Sequence, residues 1–313
     1  MGTTDIEGKK VLVLGATGCI GRAVVSGLEN SGYSIIIGSR DPERAKSVFP
    51  EIKSFIEFDH NKKTDLSSIL EEVHGVVNLT GAQIFQKWTS EYKKEIVSSR
   101  VESTRLIVEA MERCRKRPSV LVNGSASGFY GYDRVTDEPM TEESKPGNDF
   151  WGDMVSKWEA EAMKAESLGV RVVTIRTSVV LTSECGALPQ LVGVFKKGIG
   201  GPIRPGTQWF PWIHVYDEVS LIVNAVKNPA YTGPFNASAP DVPRMKDFAS
   251  SLGKVMGKGS RFPIPVFIIR LLMGESASIL GKGTRIVPEK AVKMGFEFKY
   301  PELYPALENL LKR

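Results

Sequence analysis

One stretch constrains the fold of this 313-residue chain more than any other. Lys10–Leu14 (KVLVL) is a continuous apolar run of strand length. Gly15-Ala16-Thr17-Gly18-Cys19-Ile20-Gly21 follows it directly and opens a helical pattern predicted over Gly21–Asn30. Glycines there permit a tight turn, a close backbone approach to a bound anion, and a helix packed hard on its strand. The helix start adds unpaired N–H groups and a partial positive charge. The strand before and the helix after separate a phosphate-binding loop from an ordinary glycine-rich turn. Gly15, Thr17, Gly18, Cys19, Ile20 and Gly21 are therefore candidate contacts to a pyrophosphate.

The same alternation continues. Strands are predicted at Ser34–Ile37, Ser54–Phe58, Gly75–Leu79, Ser119–Asn123 and Arg171–Arg176. Helical patterns over Asp41–Val48, Asp65–Val73, Ser90–Arg115 and Met154–Ser167 lie between them. Apolar strands separated by helices require a parallel sheet covered on both faces, which is the doubly wound α/β plan with its ligand crevice at the carboxyl ends of the strands. The expected fold is thus a Rossmann-type doubly wound parallel sheet with a smaller, mainly helical C-terminal domain on the substrate side. Residues 1–180 form the dinucleotide-binding domain, 209–240 return to it, and 181–208 with 241–313 form the smaller one. In the second half Phe210–Val215 and Gly233–Ala237 read as strands. Val219–Val226, Met245–Val255, Val266–Met273, Pro288–Met294 and Glu302–Leu311 read as helices.

The end of the second strand selects the dinucleotide. An acidic residue there would hold the 2′-hydroxyl of NAD. This chain has Gly38-Ser39-Arg40 instead. A guanidinium pairs well with a 2′-phosphate, with Ser39 as a donor and Arg22 and Arg44 as helpers, so NADP(H) is the expected cofactor. Asp59 suits the adenine amino group. Leu79, Thr80 and Gly81, with Ala82, are small or backbone contacts along the fourth strand's end, and Arg176 is expected to flank the nicotinamide.

Composition excludes other classes. The net charge is +5 and the 41 basic residues are scattered. The densest cluster, Arg113 to Arg117, sits at a helix end where the dipole favours cations. Nucleic-acid binding is therefore not expected. Three cysteines, Cys19, Cys114 and Cys185, are too few and too widely spaced for a disulfide framework or zinc site, and Cys19 reads as a small packing residue. His60, His74 and His214 share no metal-ligand spacing, so no metal is expected. The start of the chain is polar, and Ile6 occupies the position where myristoylation needs Ser or Thr. Val266–Met273, the most apolar stretch, is too short to cross a bilayer and carries Arg270. The expected setting is the cytoplasm or the soluble interior of an organelle. The expected partner is a small-molecule substrate, and a homodimer is left open.

Further segments carry a family resemblance. They are Val77-Asn78-Leu79-Thr80-Gly81, Ser99-Arg100, Gly200-Gly201-Pro202-Ile203, Gln208-Trp209-Phe210-Pro211-Trp212-Ile213-His214-Val215 and Gly295-Phe296-Glu297-Phe298. Together with the glycine loop they resemble the extended short-chain dehydrogenase/reductases, in the atypical branch described as the epimerase family. Members of that branch are also labelled nucleoside-diphosphate-sugar epimerases or cell-division inhibitors. The resemblance covers nearly the whole chain and implies a bound NADP(H) with an oxidoreductase or epimerase-like activity on a small carbonyl or sugar-nucleotide. An NADPH-binding regulator with little or no catalysis is the alternative.

Relatives with redox chemistry use a Tyr-x-x-x-Lys pair and a serine. Lys157 stands at the lysine position and would hold the nicotinamide ribose, but Asp153 stands where the tyrosine belongs. Ser125, after the fifth strand, matches the serine and would touch a substrate oxygen. Tyr130 and Asp153 are the candidates to replace the missing acid. The plain alternatives also stand: Ser125 satisfying backbone, Tyr130 packing, Lys157 solvated. Trp209, Trp212 and His214, faced by Trp88 and Arg100, are candidates to line a substrate pocket, with His214 read as structural.

Overall fold

The computed structural model describes residues 8–62, 64–84, 88–132, 136–260, 262–265 and 281–312. Seven parallel strands form one sheet. They are β1 (Lys10–Leu14), β2 (Ser34–Ser39), β3 (Ser54–Glu57), β4 (Gly75–Asn78), β5 (Val120–Ala126), β6 (Arg171–Thr177) and β9 (Gly233–Ala237), in the order 3-2-1-4-5-6-9. The order reverses at β1, so the ends of β1 and β4 flank a crevice. Two short strands, β7 (Val179–Leu181) and β8 (Trp212–His214), pair in parallel as a separate ribbon.

The apolar runs are continuous because both faces of the sheet are covered. Val11 and Val13 point to one side, under α1 (Cys19–Asn30) and α7 (Val215–Lys227), and meet Val24, Leu28, Leu221 and Ile222. Leu12 and Leu14 point to the other, under α4 (Ser90–Arg113), and meet Ile107, Val108 and Met111. Complete burial of one such side chain contributes about 1.5–3 kcal/mol. A third apolar cluster joins β7 and β8 to α6 (Ala187–Lys196), α8 (Met245–Val255) and the last helix, Leu303–Leu311, through Leu188, Phe195, Trp212, Phe248 and Leu307.

Local chemistry moves several predicted boundaries. Helix α5 spans Phe150–Met163 and begins before the predicted Met154, because Asp149 caps it by accepting the N–H groups of Trp151 and Gly152. Helix α2 (Pro42–Val48) starts where Asp41 and Pro42 predict it, with Asp41 accepting from the Arg44 N–H. The predicted helix Asp65–Val73 shrinks to α3 (Ser67–Leu70), since Asp65 holds the Ser67 N–H in a local turn. The predicted strand Phe210–Val215 shortens to β8, because His214 Nδ1 accepts the Tyr216 N–H and caps α7. The predicted helix Val266–Met273 lies outside the described residues.

The cysteines overturn their sequence reading. Cys19 and Cys185, 166 positions apart, form a disulfide with Cα atoms 6.1 Å apart, and Cys114 is a buried free thiol. An odd count excludes full pairing but not one bridge with one thiol left over. No metal-ligating cluster and no helix long and apolar enough to cross a membrane occurs among the described residues.

Candidate active site

The phosphate loop is shaped by two glycines. Gly15 has φ +78°, and a Cβ on it would lie 2.5 Å from the Leu79 carbonyl oxygen. A Cβ on Gly21 would lie 2.3 Å from the Gly15 carbonyl oxygen, so only glycine lets α1 start this close to β1. Gly18 occupies the N-cap, and no side chain caps α1. The first-turn N–H groups of Cys19, Ile20 and Gly21 therefore keep their donors for an anion. Thr17 is exposed beside them.

At the carboxyl end of β2, Arg40 is exposed, with Arg44 on α2 and Arg22 on α1 also exposed. Among the described residues none of these three guanidinium groups is held in an ion pair. Ser39 is already engaged: its hydroxyl donates to the Asp41 carbonyl at 3.1 Å and accepts the Asp41 N–H at 3.2 Å. Asp59 accepts the Asn61 N–H at 3.0 Å and lies 3.7 Å from His60 Nδ1. Along the end of β4, Leu79 N–H donates to the Leu14 carbonyl at 2.9 Å. Thr80 Oγ1 donates to Asn78 Oδ1 at 2.6 Å and lies 2.7 Å from Ser103 Oγ. The Arg100 guanidinium packs flat under Gly81, where a Cβ would meet its Cζ at 2.8 Å. It donates to the carbonyls of Ala82 and Ile96, and burial pushes it down to about 10.

The ends of β5 and β6 are different. Ser125 Oγ donates to Glu159 Oε1 at 2.5 Å. Arg176 grips the same carboxylate with two bonds of 2.9 Å, Nε to Oε1 and Nη2 to Oε2. Arg176 Nη1 donates to the Tyr130 hydroxyl at 3.0 Å and to the Glu142 carbonyl at 3.1 Å. Tyr130 in turn donates to Asn236 Oδ1 at 2.6 Å. Burial alone would lower the Arg176 pKa, but its bonds and charge attraction to Glu159 override this and raise it. Burial pushes the Tyr130 phenol up to about 12, against the pull of Arg176.

This arrangement sorts the catalytic candidates. Ser125, Arg176 and Tyr130 lie in one network, and Lys157 lies apart from it. The Lys157 ammonium pairs with Asp153 at 2.7 Å on the surface of α5, where both side chains are more than 60% exposed (62% and 65%). Tyr130 is 0% exposed, so its hydroxyl has no face toward a substrate, and the packing alternative describes it. Arg176 is likewise buried against Glu159 rather than open at the crevice. Glu159 carries no role in the sequence reading. Its signal was a charge on the buried stripe of α5, four residues after Val155. A second missed carboxyl is Glu218 on α7, which accepts from Thr177 Oγ1 at 2.8 Å. Burial pushes it up to about 8. Its Oε2 and the Ser178 hydroxyl have no hydrogen-bond partner among the described residues.

Of the aromatic candidates, Trp209 borders a cavity of about 520 Å³ with Tyr132, Asp137, Gln208, Arg244 and Lys282. The Arg244 guanidinium lies 3.6 Å over the Trp209 ring and is bonded to Asp137 at 2.6 Å. Trp212 is buried with its N–H on the Asp241 carbonyl, and His214 caps α7 and stacks on Tyr300. Trp88 packs on Phe150 and Trp151.

A sheet of this order with this loop is shared with known proteins. The model of the NAD dependent epimerase/dehydratase family matches residues 11–237. The chain belongs to that family. The model of a domain of unknown function, DUF1731, matches residues 264–310. The chain is 36% identical over 305 residues to the chloroplastic SDR39U1 homolog of Arabidopsis thaliana, an epimerase family protein, covering 96% of this chain and 86% of that one. It is 34% identical to an epimerase family protein of Staphylococcus haemolyticus, covering 97% and 99%. The crystal structure of human epimerase family protein SDR39U1 with NADPH superposes with a TM-score of 0.86 at 28% identity, covering 97% and 99%.

Proposed function

We propose that this epimerase/dehydratase-family protein binds NADP(H) across the ends of β1, β2 and β4 and acts as an oxidoreductase or epimerase-like enzyme on a small carbonyl or sugar-nucleotide. The observation that carries the proposal is the cradle itself. An uncapped helix start, two glycines that admit no side chain, and three exposed arginines outside any ion pair among the described residues (Arg40 after β2, Arg44 on α2 and Arg22 on α1) fit a dinucleotide with an extra phosphate. The NADPH in the human relative's structure supports the same choice.

In this reading Gly15, Thr17, Gly18, Cys19, Ile20 and Gly21 hold the pyrophosphate, and Arg40, with Arg22 and Arg44, holds the 2′-phosphate. Ser39 keeps the turn that presents Arg40. Asp59 lies at the adenine, and Leu79, Thr80 and Gly81 pass beneath the nucleotide. The nicotinamide, when bound, supplies or accepts hydride. Ser125 is the residue placed to meet a substrate oxygen, and it must leave Glu159 to do so. Arg176 holds the Glu159 carboxyl group in place and so keeps Ser125 aimed. Lys157 reaches a ribose only by releasing Asp153. The substrate side is assigned to 181–208 and 241–313, around the Trp209 cavity.

Titration with NADPH and NADH, followed by reduced-nicotinamide fluorescence, tests the cofactor. Arg40→Ala is expected to weaken NADPH binding about tenfold, or about 1.4 kcal/mol, and to leave NADH unchanged. Equal effects on both, or no binding to folded protein, would overturn the proposal. A second reading, a cofactor-binding regulator without turnover, is favoured by Asp153 at the tyrosine position and by the hydroxyl protons of Ser125 and Tyr130 being engaged by Glu159 and Asn236. Ser125→Ala divides the two. The enzyme reading expects turnover of a reducible carbonyl to fall at least about a hundredfold with NADPH binding intact. Undiminished turnover removes Ser125 from the chemistry.

A further inference from the structure

Cys19 is the first residue of α1 and belongs to the phosphate loop. Cys185 lies between β7 and α6, in a turn whose flanking chain enters the third apolar cluster through Leu181 and Leu188. Their bridge therefore ties the loop that begins the dinucleotide sheet to a turn of the Trp212–Phe248 cluster. Both cysteines are partly exposed, and Ser183, Glu184 and Gly186 around Cys185 are exposed, so a thiol reagent reaches the bond from solvent. Cys114, buried at the C-terminal end of α4, is not placed this way.

We propose that the Cys19–Cys185 bridge is a redox-operated latch on the phosphate loop. Oxidised, it holds the 182–186 turn against the loop and slows dinucleotide exchange. Reduced, it frees the turn and speeds exchange. The inference rests on the NADP(H) reading above.

The chemistry is thiol–disulfide exchange with a dithiol. One thiolate of the reductant attacks Cys185 Sγ, forms a mixed disulfide there and expels Cys19 as a thiolate. The reductant's second thiolate then attacks its own sulfur in the mixed disulfide. This closes the reductant's disulfide and releases Cys185, and the departing sulfurs take up protons from water according to their pKa. Two electrons pass from the dithiol to the bridge, and a disulfide of the same class reverses the reaction. Cys19 is the better leaving group, because the open N–H groups and dipole at the start of α1 stabilise a sulfur anion. Those same N–H groups are the ones assigned to the pyrophosphate. A bound dinucleotide and a departing Cys19 thiolate therefore compete for one set of donors. With those donors occupied by NADPH the Cys19 thiolate is a poorer leaving group, so bound NADPH is expected to slow the reduction of the bridge.

A bridge that only constrained the unfolded chain would raise stability and leave ligand kinetics alone. Stopped-flow fluorescence with NADPH on the full chain separates the two, using oxidised protein, dithiothreitol-reduced protein and Cys185→Ser. The latch predicts that reduction raises the NADPH dissociation rate about tenfold or more, with Cys185→Ser matching reduced wild type under both conditions. It also predicts that saturating NADPH slows appearance of the two thiols severalfold. Equal dissociation rates in oxidised and reduced protein, with binding intact, would overturn the latch alone. Failure of NADPH to bind in either redox state would overturn the cofactor reading and the latch with it. Mass analysis of the oxidised protein showing three alkylatable thiols would overturn the bridge itself.

Discussion

The two ends of the crevice follow opposite rules. At β1 and β2 the polar groups are left open: α1 has no side-chain cap, and Arg22, Arg40 and Arg44 form no ion pair among the described residues. At β5 and β6 the polar groups consume one another, with Ser125, Glu159, Arg176, Tyr130 and Asn236 bonded in sequence. Open donors in water cost little, because solvent satisfies them until an anion arrives. Buried groups have no such reserve, so each must find a protein partner. The first end leaves its donors to solvent, and the second binds its polar groups to one another.

Removing Glu159 should break that contrast most severely. Glu159→Gln leaves Arg176 buried without a counter-charge, and a loss of about 3–5 kcal/mol in urea unfolding is expected. Glu159→Leu combined with Arg176→Met should recover much of it, since an apolar pair leaves no orphaned ion. A loss below about 1 kcal/mol in the single variant would mean that water enters the network, and the contrast would collapse.

Glu218 sharpens the contrast through pH. Its carboxyl is raised from 4.5 to about 8 in the folded protein. A raised acid binds its proton more tightly when folded. Its contribution is therefore full below about pH 4.5, declines as pH rises, and is gone once pH passes the folded pKa. The total is on the order of a few kcal/mol. Thermal midpoints at pH 5, 7 and 9 should fall more steeply for wild type than for Glu218→Gln. Parallel curves would show that Glu218 is ionised and paired.

The smallest effect is expected at Lys157. Its partner Asp153 is as exposed as it is, so Lys157→Ala should shift stability by less than about 0.5 kcal/mol. A clear rise in the KM for NADPH in that variant, with stability unchanged, would return Lys157 to the ribose.

Much of the scaffold was legible because it depends on local pattern. β1 has the predicted bounds, since four consecutive residues, Val11 to Leu14, are buried on both faces, and α8 has them because its apolar stripe is uninterrupted. The phosphate loop was legible for the same reason, as strand, glycines and helix are contiguous. What stayed hidden depends on distance. Nothing in the spacing of Cys19 and Cys185 announces that 166 residues return to within 6.1 Å. The partners of Ser125 and Tyr130 come from α5, β6 and β9, so their hydroxyls looked free when read alone. His214 was readable as structural, but its capping of α7, which cuts β8 short, required the Tyr216 N–H to be seen.

The chain leaves the large sheet after Thr177 and re-enters it at Gly233, and β6 and β9 still lie side by side. Everything between them is an excursion whose two ends are fixed by neighbouring strands. Loops there can lengthen, shorten or change their lining with the strand register untouched, because the entry and exit points do not move. A library of variants confined to 187–210, which spares the Cys185 turn, is expected to leave the pairing of β6 with β9 in place.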